Sequence, residues 1–227
     1  MKNLILIAIL FNASIFADYS NHKDSKEVID ELVNEHGFEE SYVINVLKQA
    51  KKRKTALNSV ARPAEKTKTW DDYRAIFLKK KRISDGKKFI QNNITVLDRA
   101  EKEFGVPKEV ITAILGVETD YGNIMGSYRV IDSLTTLGFD DPRRSKFFKS
   151  ELIQFFILTR ENNLDILKVK GSYAGAMGYG QFISSSYRAY AIDFDGDGYV
   201  DLFNSLEDAI GSTCLLYTSD AADDGYR

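Results

Sequence analysis

The chain has three short segments whose residue types could carry chemistry, and the first centres on Glu118. Residues 116–122 read Gly-Val-Glu-Thr-Asp-Tyr-Gly and follow an apolar helical pattern. Burial at the end of an apolar helix withholds the water that would stabilise the ionised form of a carboxylic acid, which raises its pKa and lets it donate a proton near neutral pH. Such a group suits general-acid catalysis, in which it protonates a glycosidic oxygen. Taken alone, Glu118 could equally be a partnered structural residue or a charge at a helix end.

Asp120 follows two residues later and is the candidate second carboxylate of a hydrolase. On a continuing helix it would point away from Glu118, but the sequence does not fix their separation if the helix ends at Glu118. Spacing therefore leaves hydrolysis open. The flanking Gly116 and Gly122 let backbone or a sugar ring approach closely, which indicates a cleft.

The second segment, residues 171–182, interleaves glycines with Ser172, Tyr179 and Gln181. Glycine at this density makes a poor helix and a poor sheet interior, so we expect a loop that lines a tight groove. Tyrosine faces suit a sugar ring, and the Gln181 amide can hydrogen-bond an acetamido group. An ordered connecting loop is the alternative. A phosphate-binding loop is disfavoured because no Lys-Ser/Thr pair follows the glycines.

The third segment has the ligand spacing of an EF-hand-type calcium loop. Asp193, Asp195 and Asp197 occupy positions 1, 3 and 5, and Tyr199 would offer its backbone carbonyl at position 7. Position 12, normally a bidentate Glu, is Asn204. Oxygen ligands at this density favour a hard cation, so we predict a structural Ca²⁺, with no cofactor for the chemistry itself.

Helices are expected to position these segments. Amphipathic spacing predicts short helices near residues 28–33 and 43–47, and one long helix from Asp85 to Phe104 that Gly105 ends. After Pro107 a helix is apolar on most of its circumference, which predicts burial. Further helices are expected over residues 130–137 and 147–158. Strand signals are weak, so the fold class is α+β and mainly α.

Composition excludes several classes of function. The 31 Lys and Arg nearly cancel the 33 Asp and Glu, so no overall positive field would recruit nucleic acid. Residues 1–17 have the charged, apolar and small-residue order of a secretory signal, and no later stretch predicts a transmembrane helix. We therefore expect an exported protein. Cys214 is the single thiol, so no internal disulfide is expected.

Taken together, the three segments resemble the catalytic core of the lytic murein transglycosylase B family, over roughly residues 63–212. The resemblance implies a lysozyme-like core that cleaves the bond between N-acetylmuramic acid and N-acetylglucosamine in peptidoglycan. Glu118 matches the single acidic residue that family members use as acid and then as base. The C6 hydroxyl of the substrate attacks C1, which leaves 1,6-anhydromuramic acid ends without entry of water.

The resemblance also implies roles for other residues. Ser172 and Gln181 match positions that contact the glycan, and Arg143 and Arg144 match a pair implicated in substrate contact, although a charged helix start explains the arginines nearly as well. The family's calcium loop is longer and ends in an acidic residue, which here would be Asp208. A register shift of one would select Glu207.

Two alternatives accompany these assignments. Asp208 has capping-box spacing from Ser205, so a helix-capping role is open.

The alternative functions are a muramidase that delivers water and a calcium-stabilised peptidoglycan-binding module without turnover. The resemblance also implies a periplasmic protein, soluble or peripherally associated with the cell wall, with cell-wall synthesis or remodelling proteins as partners besides the glycan strands.

We predict four parts of the chain: a signal peptide over 1–17, a small helical accessory lobe over 18–62, an incomplete catalytic domain over 63–213 and a non-native tail over 214–227. The tail loses apolar periodicity and looks like translated adapter sequence joined to a truncated gene. A natural polar C-terminus is the alternative.

Overall fold

A computed structural model of the chain describes residues 18–61 and 69–224, with side chains through residue 218. The predicted signal peptide and residues 62–68 lie outside the described residues. Within this part, the helices in chain order are α1 (Ser25–Asn34), α2 (Glu40–Gln49), α3 (Lys54–Ala61), α4 (Trp70–Phe77), α5 (Lys80–Asn92), α6 (Ile94–Phe104), α7 (Lys108–Thr119), α8 (Val130–Asp140), α9 (Ser145–Glu161), α10 (Ser184–Tyr190) and α11 (Leu206–Asp224).

Strands are a minor component of the described residues. Strand β1 (Tyr128–Arg129) pairs antiparallel with β2 (Lys170–Gly171), so that Tyr128 faces Gly171 across the ladder. This short ribbon fastens the start of α8 to the start of the glycine-rich segment. The mainly helical α+β class is confirmed.

The helix predicted from Asp85 to Phe104 is two helices, and this expectation was wrong. Asn93 interrupts it with φ −122° and ψ 23°, and its side-chain amide donates to the Phe89 carbonyl at 2.8 Å. Asparagine competes with the helical ladder through such local bonds, which explains the break between α5 and α6. Gly105 ends α6 in the left-handed conformation, as the sequence predicted.

Two clusters of buried apolar side chains hold the fold together. The larger combines the N-terminal helices with α8 and α9 and with Met177 and Phe182 of the glycine-rich segment. The smaller joins α6 and α7 to Phe194 and to α11, including Ile210 and Cys214. Helix α7 therefore belongs to one cluster and the glycine-rich segment mainly to the other, so the two candidate segments meet at a junction.

The final helix crosses the predicted junction with the tail. Helix α11 continues from Leu206 to Asp224, and Cys214 is buried within the smaller cluster, where burial raises the pKa of its thiol to about 12. The non-native origin of residues 214–227 stays a prediction. None of the helices in the described ranges is both long enough and apolar enough to cross a bilayer.

Candidate active site

Glu118 lies in the last turn of α7, which ends at Thr119. Asp120 and Tyr121 then adopt φ of 52° and 62°, two successive left-handed residues that are not glycine. The amides of Asp120 and Tyr121 both donate to the Leu115 carbonyl, that of Tyr121 at 3.1 Å, and these bonds close the end of the helix. The chain therefore turns sharply directly after the candidate catalytic residue.

The end of α7 that carries Glu118 is open to solvent, which corrects the expectation of a helix buried on most sides. Val117 is 46% exposed, and Glu118 in the last turn is exposed as well, while Ile111, Leu115 and Thr119 are buried. Protein atoms around the carboxyl still remove part of its hydration, and this desolvation raises the pKa of Glu118 above its ordinary value. An accessible acid that keeps its proton to a higher pH than usual fits the general-acid role.

The Asp120 carboxylate forms an ion pair with a neighbouring arginine. Its Oδ1 lies 3.4 Å from Nε of Arg82 on α5, and both side chains are about three-quarters buried, at 24% exposure each. The left-handed backbone at Asp120 turns this residue out of the helical path that Glu118 follows. The two carboxylates therefore have different environments.

Tyrosine rings pack against the glycines of the first segment. The sequence had predicted that a sugar ring or other backbone would approach there. A Cβ on Gly116 would lie 2.7 Å from the Tyr121 ring, and one on Gly86 of α5 would lie 2.6 Å from its hydroxyl. A Cβ on Gly122 would lie 2.0 Å from the Tyr179 ring. These glycines lock the turn after Glu118 against its neighbours.

The glycine-rich segment reaches the end of α7 through backbone and side-chain bonds. Thr119 Oγ1 lies 2.8 Å from the Tyr179 carbonyl oxygen, and the Gln181 amide nitrogen donates to the Met125 carbonyl at 3.3 Å and to the Gly178 carbonyl at 3.0 Å. Gln181 itself has a positive φ of 51°. The structure thus brings Tyr179 and Gln181 next to the turn that follows Glu118.

Ser172 organises the start of the same segment. Its hydroxyl oxygen accepts from the amides of Ala174 at 3.3 Å and Ala176 at 3.0 Å. Because both bonds use the oxygen as acceptor, the hydroxyl proton stays available for a ligand. A cavity of about 450 Å³ lies between Met125, Lys168, Lys170 and Asn204, beside the bond from Gln181 to Met125.

Arg143 and Arg144 precede α9, and their environments differ. Arg143 is more than half exposed and its Nε lies 3.5 Å from the buried Asp141 carboxylate. Arg144 stacks its guanidinium over the rings of Phe147 and Phe148, at 4.4 and 5.2 Å from their centroids. Arg143 is thus the freer cation of the pair, and Arg144 is held against aromatic rings.

Three of the four carboxylates predicted as calcium ligands lie together. Oxygens of Asp193, Asp195 and Asp197 are all within 4.8 Å of one another. Asp193 accepts from the amides of Gly196 and Gly198 at 2.7 and 2.8 Å, which folds the loop around it. The Ser205 hydroxyl bonded to Asp195 holds the pKa of that carboxyl below its ordinary value. Carboxylate oxygens that converge in this way fit a hard divalent cation.

Asp208 and Glu207 stand apart from this group of three. Asp208 is 1% exposed, and its oxygens accept from the amides of Phe194 at 2.7 Å and Asp201 at 2.8 Å, while its own amide donates to Ser205 Oγ at 3.1 Å. Ser205 therefore caps α11 through its hydroxyl, and the Asp208 carboxylate ties both ends of the loop together. Glu207 pairs with Arg99 at 3.3 Å. The assignment of either as a calcium ligand stays a prediction.

Sequence reasoning missed three residues that shape this region. Thr119 joins α7 to the glycine-rich segment, Tyr121 fills the space between Gly86 and Gly116, and Arg82 pairs with Asp120. Thr119 and Tyr121 were within the motif, but only the fold brings Arg82, which is far away in sequence, to the turn.

The fold and site together define a mainly helical, lysozyme-like domain in which the end of one helix presents an accessible carboxyl beside a glycine-rich loop. The Transglycosylase SLT domain family matches residues 20–218, and the chain belongs to that family. It is 41% identical over 209 residues to membrane-bound lytic murein transglycosylase B of Escherichia coli (strain K12), covering 88% of this chain and 58% of the relative. The chain thus spans less than two thirds of that relative.

Solved structures agree with this assignment. The catenated lytic transglycosylase SltB1 from Pseudomonas aeruginosa superposes with a TM-score of 0.84 at 44% identity, covering 89% of this chain and 66% of that one. The Escherichia coli lytic transglycosylase Slt35 in complex with calcium gives 0.82 at 39% identity, with coverage of 89% and 64%. SltB3 from Pseudomonas aeruginosa in complex with NAG-NAM-pentapeptide gives 0.77 at 26% identity, with coverage of 86% and 52%.

Proposed function

We propose that this protein is a peptidoglycan lytic transglycosylase in which Glu118 is the single acid and base. The observation that carries the proposal is the accessible Glu118 carboxyl at the end of a helix, in a chain of the transglycosylase family. Partial desolvation raises the pKa of this carboxyl. Glu118 donates its proton to the glycosidic oxygen between N-acetylmuramic acid and N-acetylglucosamine. The resulting carboxylate then accepts the proton of the substrate's C6 hydroxyl as that oxygen attacks C1 and closes the 1,6-anhydro ring.

The pairing of Asp120 favours this chemistry over hydrolysis with two carboxylates. A retaining or inverting glycosidase needs a second carboxylate free to attack or to activate water opposite the acid. Asp120, the nearest acidic residue along the chain, is paired with Arg82 at 3.4 Å. Asp120 is held by this guanidinium and is not free to attack C1 or to direct a water, so the substrate's own hydroxyl is the better nucleophile.

The glycine-rich segment supplies the contacts proposed for the glycan. Gln181 uses its amide nitrogen within the protein, which leaves the amide oxygen to accept from an acetamido N–H. Ser172 can donate its hydroxyl proton to an oxygen of the sugar. The exposed guanidinium of Arg143 suits a carboxylate of the peptide stem, and Arg144 contributes a more fixed charge beside it.

A structural calcium ion is proposed for residues 193–199. Asp193, Asp195 and Asp197 would bind through their carboxylates and Tyr199 through its backbone carbonyl. The similarity to Slt35, whose solved structure is a complex with calcium, supports this assignment. Leu202, near the end of the loop, accepts a bond from the Tyr179 amide at 3.1 Å, so an ordered loop would support the glycan segment.

The cellular setting follows from the substrate. Peptidoglycan lies outside the cytoplasmic membrane, so we place the protein in the periplasm, exported by the segment 1–17, and in contact with glycan strands. Cell-wall synthesis or remodelling proteins are proposed as further partners.

Product analysis tests the proposal. The full chain, with calcium, is incubated with purified peptidoglycan beside Glu118→Gln and beside Glu109→Gln, which removes an exposed carboxylate from the first turn of the same helix. Mass spectrometry of soluble products should show anhydromuramic ends for the wild type and for Glu109→Gln, and none for Glu118→Gln. Pull-down with peptidoglycan should show that Glu118→Gln still binds.

Other outcomes select the alternatives. Hydrated reducing ends would identify a muramidase that uses water. Binding by all three proteins without any released product would identify a binding module. Equal release by the wild type and Glu118→Gln would remove Glu118 from the catalytic role.

A further inference from the structure

The hydroxyl of Thr119 connects the helix that carries Glu118 to the glycine-rich segment. Thr119 is 1% exposed, and its Oγ1 lies 2.8 Å from the Tyr179 carbonyl oxygen, 3.2 Å from the Leu115 carbonyl oxygen and 3.0 Å from the Gly122 amide nitrogen. A hydroxyl has one proton, so it donates to the nearer carbonyl, that of Tyr179, and accepts from Gly122. One buried atom thus fixes both the turn after Glu118 and the segment opposite.

The turn that Thr119 holds is strained. Asp120 and Tyr121 both have positive φ, and a side chain in this region costs free energy that the surroundings must offset. The bond from the Gly122 amide to Thr119 Oγ1 closes the turn over these two residues. The direction in which the last turn of α7 ends therefore depends on this hydroxyl.

The glycine-rich segment around Tyr179 is held in place by bonds that do not involve Thr119. The Tyr179 amide donates to the Leu202 carbonyl at 3.1 Å, and a Cβ on Gly178 would lie 2.4 Å from the same carbonyl oxygen. Gln181 has its own bond to Met125. Loss of the Thr119 hydroxyl would thus release the end of α7 while the glycine-rich segment kept its other supports.

We propose that Thr119 is a positioning residue, which sets the separation and direction of the Glu118 carboxyl relative to Tyr179 and Gln181. The inference rests on the proposed function, since it assigns Glu118 and this segment to one reaction. Thr119 acts through its neighbours and does not touch the reacting atoms. Its hydroxyl should therefore contribute to kcat, because proton transfer requires precise placement, and contribute little to KM.

Three variants test the role of the hydroxyl. Thr119→Val keeps the shape and removes the hydroxyl, and Thr119→Ser keeps the hydroxyl. Thr112→Val is the matched control, because Thr112 lies on the same helix, is 4% exposed and has a buried hydroxyl without a hydrogen-bond partner among the described residues. Release of anhydro ends from a soluble peptidoglycan tetrasaccharide gives kcat and KM, at a temperature well below the Tm of each variant.

Thr119→Val should lower kcat by about tenfold to a hundredfold while KM changes by less than about threefold. Thr119→Ser and Thr112→Val should both stay close to the wild type. If Thr119→Val proves unstable, Thr119→Cys replaces it, because a thiol is a weak donor of nearly the same size as the serine hydroxyl. Thr119→Cys should then lose kcat where Thr119→Ser keeps it.

Two results would overturn the positioning role. Thr119→Val could match Thr112→Val in kcat, or Thr119→Ser could fall as far as Thr119→Val, which would show that any change of shape at this position lowers kcat and that the hydroxyl has no separate role. Failure of the proposed function is distinct from both, because the wild type itself would then release no anhydro ends.

Discussion

Asp132 and Arg53 form an ion pair that joins the N-terminal helices to the core. Nη2 of Arg53 lies 2.6 Å from Oδ2 of Asp132, whose side chain is 0% exposed at the start of α8. Arg129 contacts the same carboxylate with Nη2 at 2.5 Å, and the Lys51 amide donates to it at 2.9 Å. The carboxylate has enough partners to offset its burial. The N-terminal segment is thus fixed to α8 by charge as well as by the shared apolar cluster.

Replacement of Asp132 with Ala should lower the free energy of unfolding by about 3 kcal/mol or more, because it leaves two guanidinium groups without their buried partner. Urea denaturation followed by circular dichroism measures the change. Asp30→Ala is the control, since Asp30 pairs with Lys26 on the exposed face of α1 and such pairs contribute little. Equal losses for the two variants would show that the Asp132 pair does not hold the segments together.

The activity should fall as the pH rises through the pKa of Glu118. Desolvation raises this pKa, and the acid form is the proton donor, so the protonated and active fraction persists to higher pH than for an ordinary glutamate. The rate of anhydro-end release, measured between pH 4 and pH 8, should show this alkaline limb. A limb at the pKa of an unperturbed Glu would contradict the effect of desolvation.

The same shift makes a prediction about stability. A carboxyl with a raised pKa in the folded state contributes stability that is complete below its unfolded pKa and is lost as the pH rises through the folded pKa. Glu118→Gln removes the charged form, so its Tm should exceed that of the wild type near neutral pH. The difference should disappear in acid. Thermal melts of both proteins at several pH values measure it, and a Tm advantage independent of pH would point to another cause.

Calcium should raise the thermal stability through residues 193–199. Binding to the folded state alone adds about 2.7 kcal/mol when the free ion is at a hundred times its dissociation constant. Asp197→Asn removes one ligand charge and keeps the oxygen that accepts the Tyr199 amide at 2.8 Å, so the loop can still fold. This variant should lose most of the calcium-dependent rise in Tm, as measured by melts in calcium and in EDTA.

The control for the calcium experiment is Asp98→Asn, which removes a carboxylate that pairs with Lys108 away from the loop. It should keep the full calcium response. If Asp197→Asn keeps it too, the ion is bound elsewhere.

Gly122→Ala should destabilise the protein more than Gly105→Ala does. Both glycines have positive φ, of 89° and 71°, so each substitution carries a conformational cost of about 1–2 kcal/mol. The new Cβ at residue 105 meets open space, whereas at residue 122 it would lie 2.0 Å from the Tyr179 ring. Comparison of the two unfolding midpoints isolates the clash, and equal midpoints would show that the Tyr179 ring can move aside without cost.

The sequence by itself determined the local features of this protein. Apolar spacing predicted α1, α2, α8 and α9, Gly105 predicted the end of α6, and the alternation of aspartates at residues 193–197 predicted carboxylates that do converge. These features depend on residues close together in the chain, so their patterns are readable without a fold.

Only the tertiary structure decided what surrounds Glu118. The sequence could not reveal that Tyr121 and Tyr179 fill the space beside the glycines, or that Arg82 neutralises Asp120, since these contacts join separate helices and loops. Helix α7 is apolar on most sides, yet its end at Val117 and Glu118 remains open because the packing of neighbouring helices decides which part is covered. Periodicity indicates that a face can be buried, and only the arrangement of the whole chain determines whether it is.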